Sequence, residues 1–314
     1  MTASTPPTNF RGRSFLSLAD FTADELNHIL DVADELKRER QAGRLRTSHA
    51  GKTLALLFQK PSLRTRASFD VAITELGGHA LYLGPDEVAL GKRETAEDVA
   101  TVLSRYVHGI EARVFGHDLV EGLARHATVP VINGLSDLLH PCQALADYMT
   151  IRERFGRVAG LRLVFVGDGN NVAHSLLLGG GVLGCNVTVC CPPGHEPSPA
   201  IVARAEELSG KSGARVAVTA DLAATAGADI LYTDVWASMG QEAQAAAKKN
   251  DFRGYAITTE MLKAAAPHAI VMHCLPAHYG EEITHDVAYS PQSAIWDEAE
   301  NRLHAQKAVL ALVM

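Results

Sequence analysis

The 314-residue chain has few cysteines and no C-x-x-C pair: Cys142, Cys185, Cys190, Cys191 and Cys274 make an odd count. That gives no sign of a disulfide framework and fits free thiols in a reducing compartment. Basic residues are not in excess, with 29 Lys+Arg against 36 Asp+Glu and a formal net charge of -7. Non-specific nucleic-acid binding rests on a basic face, so it is not expected. One local basic run, Lys37-Arg38-Glu39-Arg40, reads as the solvated face of a helix. No apolar run approaches the ~20 residues of a membrane helix. The first fifteen residues hold no apolar h-region, so no secretory signal is expected and the protein reads as cytoplasmic. Repeats and low-complexity segments are also missing.

What is present is a globular composition, 47% hydrophobic and 21% charged, long enough for two domains that each bury a core. Thr22-Ala23-Asp24-Glu25 is a capping box, and Leu26, Ile29, Leu30, Ala33 and Leu36 follow at helical spacing. Thr53 to Phe58 is a continuous apolar run, the mark of a strand buried on both faces. His79 to Leu83, Glu111 to Phe115 and Val129 to Ile132 also read as strands, separated by helical stretches. His140-Pro141 opens a further helix with Pro at its first position. Beyond it the alternation restarts, with candidate strands Arg162–Val166, Asn186–Cys190, Arg215–Val218, Asp229–Thr233 and Ala269–His273 and a final helix from Glu298. Alternation of this kind implies parallel sheets covered on both faces. The fold class is therefore α/β, two doubly wound parallel-sheet domains joined by helices. Ligands in such sheets sit outside the carboxyl ends of the strands.

Lys60-Pro61-Ser62-Leu63-Arg64-Thr65-Arg66 lies between a buried strand and a helix. A helix start offers backbone N–H groups and the positive end of its dipole, to which Ser62 and Thr65 add hydroxyls and Arg64 and Arg66 add guanidinium groups. The combination makes a phosphate cradle. A capping serine followed by two surface arginines is the plainer reading of the same seven residues.

The wider pattern separates the two. Ser62-Leu63-Arg64-Thr65-Arg66, then Arg113 after a strand, then His140-Pro141-Cys142-Gln143, fall in order at three successive strand ends. In this the chain resembles the transcarbamoylase family along almost its whole length. That family's phosphate signature is S-T-R-T-R, so Leu63 is a departure that removes one hydroxyl donor and leaves a backbone N–H. The resemblance implies that Ser62, Leu63 (through its backbone), Arg64, Thr65 and Arg113 hold the phosphate of carbamoyl phosphate. It implies that Thr65, Arg113 and His140 point at the carbamoyl oxygen, as an oxyanion hole, and that Gln143 holds the carbamoyl amide. Taken alone, His140 is an N-cap or a packed histidine, and Gln143 a residue closing a capping box with it.

Strand Arg162–Val166 runs into Gly167-Asp168-Gly169-Asn170-Asn171-Val172-Ala173, a loose match to a dinucleotide-binding loop. A nicotinamide dehydrogenase would need an acidic residue about 20 residues on, to hold the ribose. The next strand ends instead in Cys191-Pro192-Pro193, so no cofactor is expected. In ornithine-using transcarbamoylases this loop supplies an Asn, matched by Asn171, that contacts the amino acid. Asp234-Val235-Trp236-Ala237-Ser238-Met239-Gly240 matches their D-x-x-x-S-M-G, and His273-Cys274-Leu275-Pro276 their H-C-L-P. An anionic Asp234 and a hydroxyl at Ser238 suit an α-ammonium group, and the backbone N–H of Met239 suits a carboxylate. An aspartate acceptor would need cations that this segment lacks. Cys274 lies by resemblance beside the reacting amine, the Leu275 carbonyl faces the carbamoyl amide, and the Leu275–Pro276 peptide is cis. Arg302 matches the family's late arginine, which returns to the site from the last helix. His273, Cys274 and His278 fit no common zinc spacing, so no metal is expected.

The reaction so implied moves a carbamoyl group from carbamoyl phosphate to the side-chain amine of ornithine, giving citrulline and phosphate for arginine biosynthesis, with no cofactor and no covalent intermediate. Arg113, His140, Asp234, Cys274 and Arg302 are the expected catalytic residues. The expected domains are 1–147 for carbamoyl phosphate and 148–297 for ornithine, with the active site in the cleft between them, and 298–314 as a helix packing back on the first. A homotrimer or a multiple of trimers is expected, with a loop around Leu90 to Glu94 reaching a neighbouring site. Putrescine or an acylated ornithine as acceptor, and a catalytically dead regulatory homologue, are the alternatives.

Overall fold

The apolar segments between the turn signals pair in register as two parallel sheets. A computed structural model describes residues 9–237 and 245–314. By its internal contacts the chain divides into two compact units, one running to Ser136 and including Leu303–Met314, the other Asp137–Arg302.

In the first unit the strands are β1 (Thr53–Phe58), β2 (His79–Leu83), β3 (Gly109–Arg113) and β4 (Val131–Leu135), in the order β2-β1-β3-β4. Every pairing is parallel. β1 is central and its five residues Leu54 to Phe58 are buried, as a strand covered on both faces must be. Ala55, Leu57, Ile110 and Ala112 pack with Val99, Ala100, Val120 and Leu123 from the covering helices. β3 begins and ends two residues before the expected Glu111 to Phe115, because Leu54 pairs with Gly109 and Phe58 with Arg113. β4 lies two residues later than expected at its start, where Ile110 pairs with Val131. The capping box at Thr22 forms, with Glu25 N–H donating to Thr22 Oγ1 and Thr22 N–H to Glu25 Oε2.

In the second unit β5 (Arg162–Val166), β6 (Asn186–Cys190), β7 (Val216–Thr219), β8 (Ile230–Thr233) and β9 (Ile270–His273) form a parallel sheet in the order β7-β6-β5-β8-β9. The winding reverses between β5 and β8, which makes their carboxyl ends the crevice of this sheet. The helix Asn171–Leu183 carries Gly179-Gly180-Gly181 in its interior. Glycine there costs about 1 kcal/mol each in helix propensity. A Cβ at Gly179 would stand 2.4 Å from the Tyr148 ring, and one at Gly180 2.5 Å from Val187, so the glycines allow an approach that alanine would block.

The division at Ser136/Asp137 precedes the expected boundary at 147/148. The helix Pro141–Phe155 packs within the second unit, where Tyr148 donates to the Leu176 carbonyl and the His140 N–H to Ser175 Oγ. The last helix, Ile295–Val313, starts three residues before the expected Glu298. Glu298 and Arg302 bond inside the second unit, whereas Gln306 and Lys307 bond to Ser68 and Glu75 of the first.

Candidate active site

In the first unit the site residues stand at the carboxyl ends of β1 and β3, where that sheet's winding reverses. Ser62 is the N-cap of the helix Leu63–Glu75, its Oγ accepting from Thr65 N–H at 3.4 Å. Arg113 leaves the end of β3 and donates from Nη1 to Thr65 Oγ1 at 3.3 Å, so the strand's arginine and the helix start are joined across the reversal. Arg66 lies over the Tyr82 ring, 3.9 Å from its centroid. The side chain of Leu63 is 81% exposed. The departure from threonine thus puts an apolar group at the mouth of the helix start rather than into the packed core.

The second unit gathers the remaining described positions. Asn170 caps the helix Asn171–Leu183, its Oδ1 accepting from Val172 and Ala173 N–H. Its amide nitrogen is thereby turned to Asp234 Oδ2, at 2.7 Å. Asp234 follows β8 and also accepts, at Oδ1, from Val235 N–H (2.8 Å) and from the Cys274 thiol (2.9 Å). Burial and the neighbouring Asp234 carboxylate push the Cys274 thiol well above its ordinary pKa. It is a neutral donor and not a thiolate nucleophile. Asn171 is buried, and its carbonyl accepts from Ser175 Oγ, the same hydroxyl that receives the His140 N–H. One serine therefore ties the Asn171 helix to the His140 turn. Gly169 has no room for a side chain, since a Cβ would lie 2.2 Å from Pro197 N.

After β9 the chain turns sharply. Leu275 has φ +59°, and the Leu275–Pro276 peptide is cis, as the motif implies. His273 Nδ1 accepts the Leu275 N–H at 2.9 Å, which leaves the ring proton on Nε2 facing Glu282 Oε1 at 3.1 Å.

Gln143 does not close a capping box with His140, whose side chain makes no cap bond. Its amide instead binds Asp147, Glu298 and Arg302. Asp147, Glu298 and Tyr232 were not singled out from the sequence. The signals were the spacings Gln143-x-x-x-Asp147 and Glu298-x-x-x-Arg302, which put each acid one turn from a site residue on its own helix. Ser238 and Met239 lie outside the described residues.

Among the described residues, two groups of ligand-type side chains come within 4.8 Å of one another, Asp234 with His273 and Cys274, and His278 with Glu281 and Glu282. Most of their hydrogen-bonding atoms are engaged with protein partners, while Glu282 Oε2 has none. Cys274 donates to Asp234, His273 uses both ring nitrogens, Glu282 accepts from the His278 N–H, and Glu281 pairs with Lys249. The first group is thereby taken up in hydrogen bonds among its own members and their neighbours. β6 ends in Cys190-Cys191-Pro192, so no carboxylate stands where a dinucleotide ribose would need one.

A phosphate-competent helix start in one α/β unit, and an acid, an amide and a thiol at the sheet reversal of another, define a two-substrate transferase. Residues 13–153 match the family model for the carbamoyl-phosphate-binding domain of aspartate/ornithine carbamoyltransferases, and residues 159–313 match that for its Asp/Orn-binding domain. The chain belongs to the aspartate/ornithine carbamoyltransferase family. It is 55% identical to the ornithine carbamoyltransferase of Thermococcus kodakarensis, over 96% of each chain. It is 54% identical to the anabolic ornithine carbamoyltransferase of Pyrococcus furiosus, again over 96% of each. A solved structure of the P. furiosus enzyme superposes with a TM-score of 0.95, covering 98% of this chain and 99% of that one at 53% identity. That of Thermus thermophilus superposes at 0.85, covering 95% and 97%, with 47% identity. Among the described residues no helix is long and apolar enough to cross a membrane.

Proposed function

We infer that the protein transfers the carbamoyl group of carbamoyl phosphate to the side-chain amine of L-ornithine, giving citrulline and phosphate. The observation that carries the reading is Asp234. It is a nearly buried carboxylate at the sheet reversal, aimed by Asn170 and Cys274, and it provides an anionic partner for an ammonium group. A relative specific for aspartate would need cations there.

In this reading Ser62, the Leu63 backbone, Arg64, Thr65 and Arg113 hold the phosphate. Thr65, Arg113 and His140 donate to the carbonyl oxygen, whose charge grows as the carbon becomes tetrahedral. Gln143 and the Leu275 carbonyl take the carbamoyl NH2, and Arg302 supports Gln143 and the leaving group. Asn171, Asp234, Ser238 and Met239 hold the amino-acid end of ornithine, with Cys274 beside the amine. The neutral amine attacks the carbonyl carbon, the C–O bond to phosphate breaks, and the leaving phosphate takes the amine proton. Orientation supplies most of the gain. The neutral Cys274 thiol is consistent with direct transfer without an acyl-enzyme. A cytoplasmic homotrimer, or a multiple of trimers, working in arginine biosynthesis completes the proposal, and sedimentation equilibrium tests the assembly.

The decisive assay compares acceptors. With carbamoyl phosphate, product should form with ornithine and not with putrescine, N-acetylornithine or aspartate. Preference for any of the other three would replace the ornithine assignment.

A further inference from the structure

The Gln143 side chain has its orientation dictated by chemistry. Nε2 donates both protons, to Asp147 Oδ1 at 2.8 Å and to Glu298 Oε1 at 2.9 Å. Oε1 accepts from Arg302 Nη1 at 2.6 Å. Turning the amide over would set its oxygen against two carboxyl oxygens and its NH2 against a guanidinium. What remains on this amide is the second lone pair of Oε1, which can only accept. A carbamoyl group differs from an acetyl group by carrying NH2 in place of CH3, so a fixed acceptor is the group that tells them apart.

The acids that impose this orientation are both fully buried and meet at one nitrogen. Two ionised carboxylates cannot persist there, and one proton stays with the pair. Burial pushes both carboxyls up from the ordinary range. Glu298 receives three groups, since Oε1 also accepts from Tyr232 Oη at 3.0 Å and Oε2 from the His273 N–H at 2.9 Å. Asp147 accepts from Gln143 and also lies in hydrogen-bonding reach of Glu298 and Tyr232, while its Oδ2 has no partner. The two carboxyls face each other closely enough to share that one proton. The facing groups fit this state. Arg302 of the last helix is the cation, Tyr232 of β8 and Cys274 after β9 are held protonated by burial, Asp234 lies beyond Cys274, and the His273 ring is turned to Glu282.

We propose that Asp147 and Glu298 form a singly protonated positioning pair that holds Gln143 as an obligate acceptor and so selects carbamoyl phosphate over acetyl phosphate. The proposal rests on the role given to Gln143 above. A glutamine at 298 must aim an N–H either at the His273 N–H or at Gln143 and Tyr232, so it releases the Gln143 amide. An asparagine at 147 still offers Gln143 an oxygen and carries N–H in place of the acid proton. An alanine there offers nothing.

The test is calorimetric binding of carbamoyl phosphate and acetyl phosphate to the full chain and to Asp147→Asn, Asp147→Ala and Glu298→Gln. Wild type should prefer carbamoyl phosphate by about tenfold or more, the worth of one well-placed hydrogen bond. Asp147→Asn should keep that ratio, while Asp147→Ala and Glu298→Gln should bring it towards unity and leave acetyl phosphate affinity unchanged. A ratio lost equally in Asp147→Asn and Asp147→Ala, or kept in Glu298→Gln, overturns the proposal. If Glu298→Gln does not fold, the Asp147 comparison decides alone. If wild type binds neither phosphate, the functional reading fails, and the pair is judged by melting temperature against pH. Wild type should then lose stability relative to Asp147→Asn as pH rises from about 4 to about 7, and parallel curves would refute the shared proton.

Discussion

Replacing Asp234 by asparagine changes one atom and should separate ornithine binding from carbamoyl phosphate binding. The two oxygens of Asp234 accept from Asn170, Val235 N–H and Cys274 at 2.7, 2.8 and 2.9 Å. Asparagine must turn an NH2 either towards the Asn170 amide nitrogen or towards the Val235 N–H. Asn170 cannot flip in response, because its oxygen caps the Asn171–Leu183 helix. The substitution therefore removes the negative charge offered to the ammonium group and also misaligns the remaining dipole. A hydrogen bond to a charged group is worth about 1.5–3 kcal/mol. That corresponds to a loss of roughly 10- to 150-fold in kcat/KM for ornithine, at about 1.4 kcal/mol per decade. Carbamoyl phosphate affinity, measured separately by calorimetry, should change by less than about threefold, since the phosphate-cradle residues Ser62 to Arg113 belong to the other unit. Steady-state kinetics with ornithine varied at saturating carbamoyl phosphate supplies the first number. Equal losses for both substrates, or an unchanged kcat/KM, would refute the assignment of Asp234 to the acceptor.

Three further outcomes are expected. Arg64→Ala should abolish detectable carbamoyl phosphate binding in calorimetry while the far-UV circular dichroism stays that of wild type. Gly169→Ala forces a Cβ to 2.2 Å from the Pro197 backbone, so it should destabilise the second unit by about 1–3 kcal/mol in urea unfolding and raise KM for ornithine by displacing Asn171. The Asp147 carboxyl is pushed up to about 7 from 3.8, chiefly by burial. For a raised acid the stabilisation is complete below the unfolded value and disappears as pH rises through the folded one. Wild type should accordingly lose stability between about pH 4 and pH 7 relative to Asp147→Asn, by at most about 4 kcal/mol. Urea titrations of both proteins across that window read the difference.

Much of the architecture was legible because it is written in local chemistry. Thr53 to Phe58 is apolar throughout since both faces of β1 are covered, and Thr22 and Glu25 cap a helix wherever the rest of the chain goes. The phosphate segment was legible for the same reason, as a strand end, a capping serine and arginines in sequence. The Asp147–Glu298 pair was not. An acid on a helix is ordinarily a solvated face, and only the packing of a second helix 151 residues away turns these two into one buried unit. Nor did spacing reveal that His140 and Gln143 fold with the second unit. That follows from the contact of Tyr148 with Gly179, which becomes visible only once the three glycines are seen as room for a ring. Strand ends moved by a residue or two because register with a neighbouring strand, not local composition, stops a strand.

The central claim is that carbon passes directly from carbamoyl phosphate to the side-chain nitrogen of ornithine. It is tested most directly by carbon NMR on the purified full-length chain, with carbamoyl phosphate labelled at carbon-13 and ornithine labelled at its side-chain nitrogen with nitrogen-15. The account predicts a new ureido carbon resonance split by the labelled nitrogen, appearing in step with one phosphate released per carbon transferred. Phosphate release with no such coupled resonance, or coupling only to a different acceptor, would contradict it.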